Sequence, residues 1–222
     1  MIIAERKPMK ELLEMVSDVK RLLIVGCRGC VAVCSAGGDK EVSILSAALR
    51  LGVKRAGGEI DIHEDTLVRQ CDPEYIEPLN DKGAKYDAVL SMACGVGVNF
   101  VADRCPDVNV LPALNTTFYG ANLSSGEWKE MCAGCGACVL HLTGGLCPVA
   151  RCAKSLSNGP CGGSQGGRCE INPDVDCIWQ QIYDKLSSMN RKEELRQIMP
   201  IRDWTTAGHG GPRRRIREDL LP

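Results

Sequence analysis

The sequence predicts an α/β fold, with an open, mostly parallel sheet in the first half of the chain and a cysteine-rich module after it. Two observations predict this. Short apolar runs alternate with amphipathic stretches between residues 8 and 111, a pattern typical of a parallel sheet with helices on its faces. Fourteen cysteines occur in 222 residues, and eight of them fall between Cys132 and Cys177.

The elements of the first half follow from local periodicity. Residues 8–20 carry apolar side chains three and four positions apart, which predicts an amphipathic helix. The apolar run RLLIVG at 21–26 is typical of a buried parallel strand. The further predicted elements are a helix at 40–51, a strand at 59–68, a helix at 73–79, a strand at 86–92, a helix at 97–103 and a strand at 108–111. This order predicts a sheet of the Rossmann or flavodoxin-like type.

Composition divides the chain into three parts. Residues 1–125 form the predicted α/β domain, and residues 126–190 form the cysteine-rich module, which closes with a helix at 174–189. Residues 191–222 are polar and irregular, with a basic run at 213–217. We expect this tail either to be a solvated end or to dock onto a partner subunit.

Five cysteines of the α/β domain are predicted to meet at one edge of the sheet. Cys27, Cys71 and Cys94 each follow a different predicted strand, and Cys30 and Cys34 lie in the loop after the first strand. The carboxyl ends of parallel strands lie along the edge where ligands bind. Because four thiolates hold a cubane, we expect four of these five residues to bind a [4Fe–4S] cluster.

Glycines near these thiols resemble phosphate-binding loops, but neither 37–38 nor 95–97 completes the dinucleotide motif. We interpret them as positions where the backbone approaches a cluster closely. Cys105 has no such context and is predicted to be a small buried apolar side chain.

The second half contains a C-x2-C-x2-C run, which is a strong signal for a metal cluster. Cys132, Cys135 and Cys138 are predicted to hold a second [4Fe–4S] cluster, with a closing thiolate from Cys147, Cys152 or a later cysteine. The remaining cysteines are candidates for a third site, which would hold a cluster or zinc. The later cysteines are Cys161, Cys169 and Cys177. Nine glycines and few large apolar side chains between 132 and 177 indicate that this module needs inorganic cross-links to fold.

Composition and missing motifs exclude several functions. A net charge of −1 and few aromatic residues argue against nucleic acid as the main partner. No segment has the length and hydropathy of a signal peptide or membrane span, so we expect a cytoplasmic protein with reduced thiols rather than disulfides. The motifs GxSxG, HExxH and a complete P-loop do not occur. Clusters without substrate-handling groups suggest a subunit that moves electrons for a catalytic partner.

These motifs resemble one known family. The stretch CAGCGACVLHLTGGLCPVARCAKSLSNGPCGGSQGGRC at 132–169 and DCIWQQIYD at 176–184 are similar to the methylenetetrahydrofolate reductase C-terminal family. In the first half, RQC at 69–71, MACGVG at 92–97 and LPALNTT at 111–117 are similar to it too. The resemblance implies a small iron–sulfur or zinc subunit that accompanies a flavin-containing catalytic subunit in anaerobic bacteria. It implies that FMN or FAD is bound by that partner. Further electron-input subunits are additional candidate partners.

The prediction is therefore an iron–sulfur electron-transfer subunit of methylenetetrahydrofolate reductase. Two alternatives stay open. The first is a zinc-binding scaffold subunit of the same complex, and the second is a stand-alone enzyme that binds its own flavin or folate at the sheet edge.

Overall fold

The computed structural model describes residues 1–208, 212–214 and 216–220. Two compact units divide the chain, Met1–Lys129 and Glu130–Pro222. In chain order the strands and helices are β1 (Ile2–Arg6), α1 (Met9–Met15), β2 (Arg21–Cys27), α2 (Cys30–Val33), α3 (Asp39–Arg55), β3 (Asp61–Leu67), α4 (Pro73–Gly83), β4 (Ala88–Ser91), α5 (Gly95–Arg104), β5 (Val110–Pro112), β6 (Leu114–Ser124), β7 (Glu127–Cys132), α6 (Pro148–Arg151) and α7 (Ile178–Ser188).

The predicted α/β class is confirmed by a parallel sheet in the first unit. Its four strands lie in the order β3-β2-β4-β5, and every neighbouring pair is parallel. Strand β2 is the central strand by burial, because all its residues after Arg21 are buried. The strands at 21–27, 61–67, 88–91 and 110–112 fall within a few residues of the predicted ones.

Alternate residues of β2 face opposite sides of the sheet. Leu22 and Ile24 share a core with the buried leucines of α1 and α3, whereas Leu23 and Val25 share a second core with α4 and α5. Each of these four side chains is fully excluded from solvent. The sheet is therefore covered by helices on both faces, which explains why its strands are continuous apolar runs.

Two predictions for the start of the chain are corrected. The helix predicted at 8–20 ends at Met15. Ser17 and Asp18 come shortly after this end, and both residue types favour turns over helix interiors. A second sheet, in the order β1-β6-β7, was not predicted. Strands β6 and β7 carry mostly exposed, polar side chains, so they lack the apolar alternation that identifies a half-buried strand.

The second unit contains little regular structure. Its core consists of Ile178, Trp179, Ile182 and Leu186 on one face of α7. The helix predicted at 174–189 starts only at Ile178, because Asn172 forms a turn: its side chain accepts from the Asp174 N–H at 3.0 Å and its carbonyl accepts from the Val175 N–H at 3.0 Å. The indole N–H of Trp179 donates to the Leu156 carbonyl at 3.2 Å, which ties the cysteine-rich loop to the helix.

Within the described residues, no helix combines the length and the apolar character that crossing a bilayer requires. The predicted docking tail is described in part. The glycine-rich residues 209–211 and Arg215 of the basic run lie outside the described residues.

Candidate metal centres

The strand-end cysteines meet at the carboxyl edge of the parallel sheet. Cys27 is the last residue of β2, Cys30 begins α2, and Cys94 directly precedes α5. Partial burial raises the pKa of the Cys71 thiol, and the thiols of Cys27, Cys94 and Cys30 raise it further. A pKa raised by like charges means that these sulfurs lie close enough for their thiolates to repel one another. A cation or a cluster at this point would relieve that repulsion.

Cys34, the fifth candidate at this edge, occupies a different environment. It is 5% exposed, and its thiol donates to the carbonyl oxygens of Ala4 at 3.7 Å and Val31 at 3.6 Å. Burial raises the pKa of the Cys34 thiol, and the nearby Cys30 raises it further. The two carbonyl contacts mark Cys34 as a buried, hydrogen-bonded thiol, and its role as a cluster ligand stays a prediction.

A buried amide supports the loop that carries Cys71. Gln70 is fully buried, and its Nε2 donates to the carbonyls of Val25 at 2.9 Å and Gly26 at 3.0 Å. Its Oε1 accepts from the Ser91 hydroxyl at 2.6 Å, and Ser91 Oγ accepts from the Ala93 N–H at 3.2 Å. This network connects the ends of β2 and β4 to the residue before Cys71, so it fixes three of the four cysteine positions relative to one another.

Close backbone approach at this edge depends on Gly37. Its carbonyl accepts from the Cys27 N–H at 2.8 Å, and a Cβ at Gly37 would lie 2.0 Å from the Met92 carbonyl oxygen. The glycine thus permits contact between two cysteine-bearing loops. The predicted approach of these glycines to a cluster stays a prediction.

In the second unit, the C-x2-C-x2-C run forms a loop whose sulfurs accept hydrogen bonds. Cys132 Sγ accepts from the Gly134 N–H at 3.4 Å, and Cys135 Sγ accepts from Arg202 Nη1 at 3.1 Å. Cys147 lies just before α6, and its sulfur accepts from the Ala150 N–H at 3.5 Å. Cys135 Sγ also donates to the Ala137 carbonyl at 3.9 Å, so this sulfur has both a donor and an acceptor as neighbours.

The last four cysteines line one enclosed pocket. They are Cys152, Cys161, Cys169 and Cys177. Backbone N–H groups of Asn172 and Ile171 lower the pKa of the Cys169 thiol, and the nearby ammonium of Lys154 lowers it further. Cys177 directly precedes α7 at its N-terminal end.

A half-buried cation lies against this pocket. Arg151 lines it, and burial lowers the pKa of the guanidinium, while the sulfur of Cys147 and the carboxylate of Asp176 raise it. Arg151 Nη2 donates to Gln181 Oε1 at 2.6 Å, whereas the buried Nε finds no hydrogen-bond partner among the described residues. The pocket lining therefore carries two cations, Arg151 and Lys154, and two carboxylates, Glu170 and Asp176.

Among residues 1–208, 212–214 and 216–220, no three His, Cys, Asp or Glu side chains converge closely enough to hold one metal ion. A tetrahedral zinc would require sulfurs about 2.3 Å from a common centre. A cubane is larger and takes each thiolate on a different iron, so it accepts a wider arrangement of four cysteines.

Gln70 and Arg202 were missed as site residues by the sequence predictions. Gln70 directly precedes Cys71, but only the fold reveals that its amide is buried between two strand ends. Arg202 follows Cys135 by 67 positions, and no spacing rule connects them. Cys105, which was predicted to be apolar in character, is 2% exposed and packs with Val101 and Val108.

Comparison with known proteins places part of the chain in one family. Residues 111–205 match the family described as "Methylene-tetrahydrofolate reductase C terminal", which confirms the predicted resemblance for this segment. The matched segment contains all eight cysteines of the second unit. It associates this unit with methylenetetrahydrofolate reductase and its complexes. No curated protein and no solved structure matches the chain.

The Gln70 network generates a stability prediction. Replacing Gln70 with leucine should lower the free energy of unfolding by about 2 kcal/mol, because the Ser91 hydroxyl and the strand-end carbonyls lose a buried partner. The midpoint of urea unfolding, followed by circular dichroism without oxygen, measures this change. The matched control is Gln180→Leu on the exposed face of α7, where we expect a change below about 0.5 kcal/mol. Equal effects of both substitutions would contradict a bracing role for Gln70.

Proposed function

We propose that this chain is the iron–sulfur electron-transfer subunit of a methylenetetrahydrofolate reductase complex. Its cysteines would hold clusters that, when bound, would supply electrons to a flavin-containing catalytic subunit, and that partner would reduce methylene-tetrahydrofolate to methyl-tetrahydrofolate. The observation that supports this most directly is the gathering of cysteines into groups of four, in a chain whose second unit matches a methylenetetrahydrofolate reductase family. The reduced thiols fit a cytoplasmic location.

We assign three groups of ligands. The sheet-edge site takes Cys27, Cys30, Cys71 and Cys94. The pocket site takes Cys152, Cys161, Cys169 and Cys177. The loop site takes Cys132, Cys135 and Cys138. We assign Cys147 as its fourth ligand, because the pocket site uses every other cysteine of the second unit. We propose [4Fe–4S] clusters at the sheet edge and the loop, and a cluster or zinc at the pocket.

The chain's own residues prepare these sites for negative charge. When bound, the clusters supply one-electron carriers to a partner flavin. Gln70 positions the loop before Cys71, and backbone N–H groups lower the pKa of the Cys169 thiol. Lys154 lowers the pKa of Cys169 further. Fixed positions for the ligand sulfurs would lower the rearrangement that accompanies electron transfer.

The metal content tests this proposal. Protein purified without oxygen should contain about twelve irons and matching sulfide per chain, or about eight irons and one zinc if the pocket binds zinc. It should be brown, with absorption near ~400 nm from thiolate-to-iron charge transfer. Elemental analysis and sulfide quantification provide the measurement. Zinc at all three sites with little iron would instead favour the scaffold alternative.

Two single-cysteine variants serve as a matched pair in the same experiment. Cys71→Ser should lose about four irons, because it removes a ligand from the sheet-edge site. Cys105→Ala, in the same unit but buried among valines, should keep the full iron content. Full iron in the Cys71 variant, or equal loss in both, would contradict the assigned ligands.

Electron delivery is tested with the partner subunit. The dithionite-reduced chain, freed of excess dithionite, should reduce the flavin of the catalytic subunit, seen as loss of flavin absorbance in stopped flow. The iron-depleted chain is the control and should transfer no electrons. Expressed alone, this chain should retain no flavin and should not reduce methylene-tetrahydrofolate. Flavin retention with activity by the chain alone would support the stand-alone enzyme instead.

The tail is proposed as a docking arm for the partner. Arg213 donates to the backbone carbonyls of Thr206 and Ala207, which anchors the start of the basic run. Truncation after Arg213 should weaken binding to the catalytic subunit at least about tenfold, measured by calorimetry at low salt, because it removes three arginines, Arg214, Arg215 and Arg217, against two acidic residues. Full iron content would verify that the truncated chain is intact. Unchanged binding would refute the docking role.

A further inference from the structure

Arg202 connects the tail to the C-x2-C-x2-C loop. Its Nη1 donates to Cys135 Sγ at 3.1 Å and to the Ala137 carbonyl at 2.6 Å. The guanidinium carbon lies 5.4 Å from the centre of the Trp204 ring, a cation–π distance. One face of the guanidinium therefore lies over an aromatic ring, while an N–H at its edge donates to a sulfur.

The segment around Arg202 is fixed to the loop by further contacts. Thr206 Oγ1 donates to the Cys135 carbonyl at 2.8 Å. Gly136 has a φ of +78°, and a Cβ there would lie 2.3 Å from the Thr206 carbonyl oxygen. A glycine at position 136 of the C-x2-C-x2-C run therefore leaves room for the tail segment to pass close to the run. The donor to Cys135 is held in place, so it differs from a mobile surface arginine that meets a sulfur by chance.

We propose that Arg202 is a positioning residue for the loop cluster and raises the reduction potential of that cluster through its hydrogen bond to Cys135. This inference rests on the proposed function, because it requires a cluster bound to Cys135. Reduction adds one electron, supplied in the test by dithionite, and no bond forms or breaks. The added negative charge spreads onto the ligand sulfurs, so a cationic donor stabilises the reduced state more than the oxidised state.

The contact with the Ala137 carbonyl gives Arg202 a structural role that must be distinguished from the effect of its charge. The same Nη1 donates to Ala137, so Arg202 also orders the loop between Cys135 and Cys138. A purely structural role predicts loss of cluster on substitution but no change of potential in whatever cluster remains. A tuning role predicts a retained cluster with a lower potential.

The test is a redox titration of the full-length, iron-loaded chain, with Arg202→Gln compared with the unaltered protein. Electron paramagnetic resonance identifies the loop cluster as the component that is absent in Cys135→Ala. In Arg202→Gln we expect about a tenfold lower ratio of reduced to oxidised loop cluster at a fixed ambient potential, which is a negative shift of about 59 mV for one electron. The other clusters should keep their potentials.

Arg196→Gln is the matched control. Arg196 belongs to the same unit and pairs on the surface with Glu193 at 2.9 Å, so this variant removes one positive charge without removing a contact to cysteine. We expect no shift of the loop cluster in this control. An equal shift in both variants would overturn the proposal, because it would show an effect of net charge alone.

A second variant covers the case in which Arg202→Gln loses the loop cluster. Arg202→Lys keeps a cation near Cys135 and should retain that cluster. The reduction potential of the cluster should then be lowered by less than half of the shift of about 59 mV expected for Arg202→Gln. Loss of the loop cluster in both variants, or a retained cluster with unchanged potential in Arg202→Gln, overturns the tuning role. If the unaltered protein holds no iron at Cys135, the proposed function fails instead, so the two failures are distinguishable.

Discussion

The convergence of strand-end cysteines on one edge of the parallel sheet is the constraint on which the rest of this structure depends. Burial raises the pKa of the Cys71 thiol, and the neighbouring thiols of Cys27, Cys94 and Cys30 raise it further, so the fold brings these groups close together. A protein that only needed stability would place such thiols apart or bury them singly, as Cys105 is buried among apolar neighbours. Repulsion between their thiolates is offset when positive metal centres occupy the space between the sulfurs.

The two units meet this constraint by different means. The first unit has large apolar cores on both faces of its sheet, so it can hold cysteines on loops at the sheet edge and brace them with Gln70. The second unit has a small core around α7 and relies on local donors to its sulfurs. Backbone N–H groups lower the pKa of Cys169, and the guanidinium of Arg202 donates to the sulfur of Cys135.

This difference bears on function. A rigid sheet edge resembles other α/β ligand sites, where strand ends supply groups from separate parts of the chain. The cysteine-rich unit holds eight cysteines, and the family match covers all of them. A chain built in this way has its polar chemistry concentrated on sulfur and on the charges around it, which is why we propose an electron carrier rather than a catalytic subunit.

The sequence by itself determined the parallel sheet and the meeting of Cys27, Cys71 and Cys94 at its edge, and it predicts metal binding in the second half. Apolar runs such as 21–26 and the C-x2-C-x2-C spacing are local signals, and local signals survive without a fold. Only the tertiary structure separated Cys34 from its neighbours, because its hydrogen bond to Ala4 depends on a strand 30 positions earlier. It alone placed Gln70 between two strand ends and Arg202 on Cys135, since such contacts join residues that are far apart in the chain and carry no periodic signal.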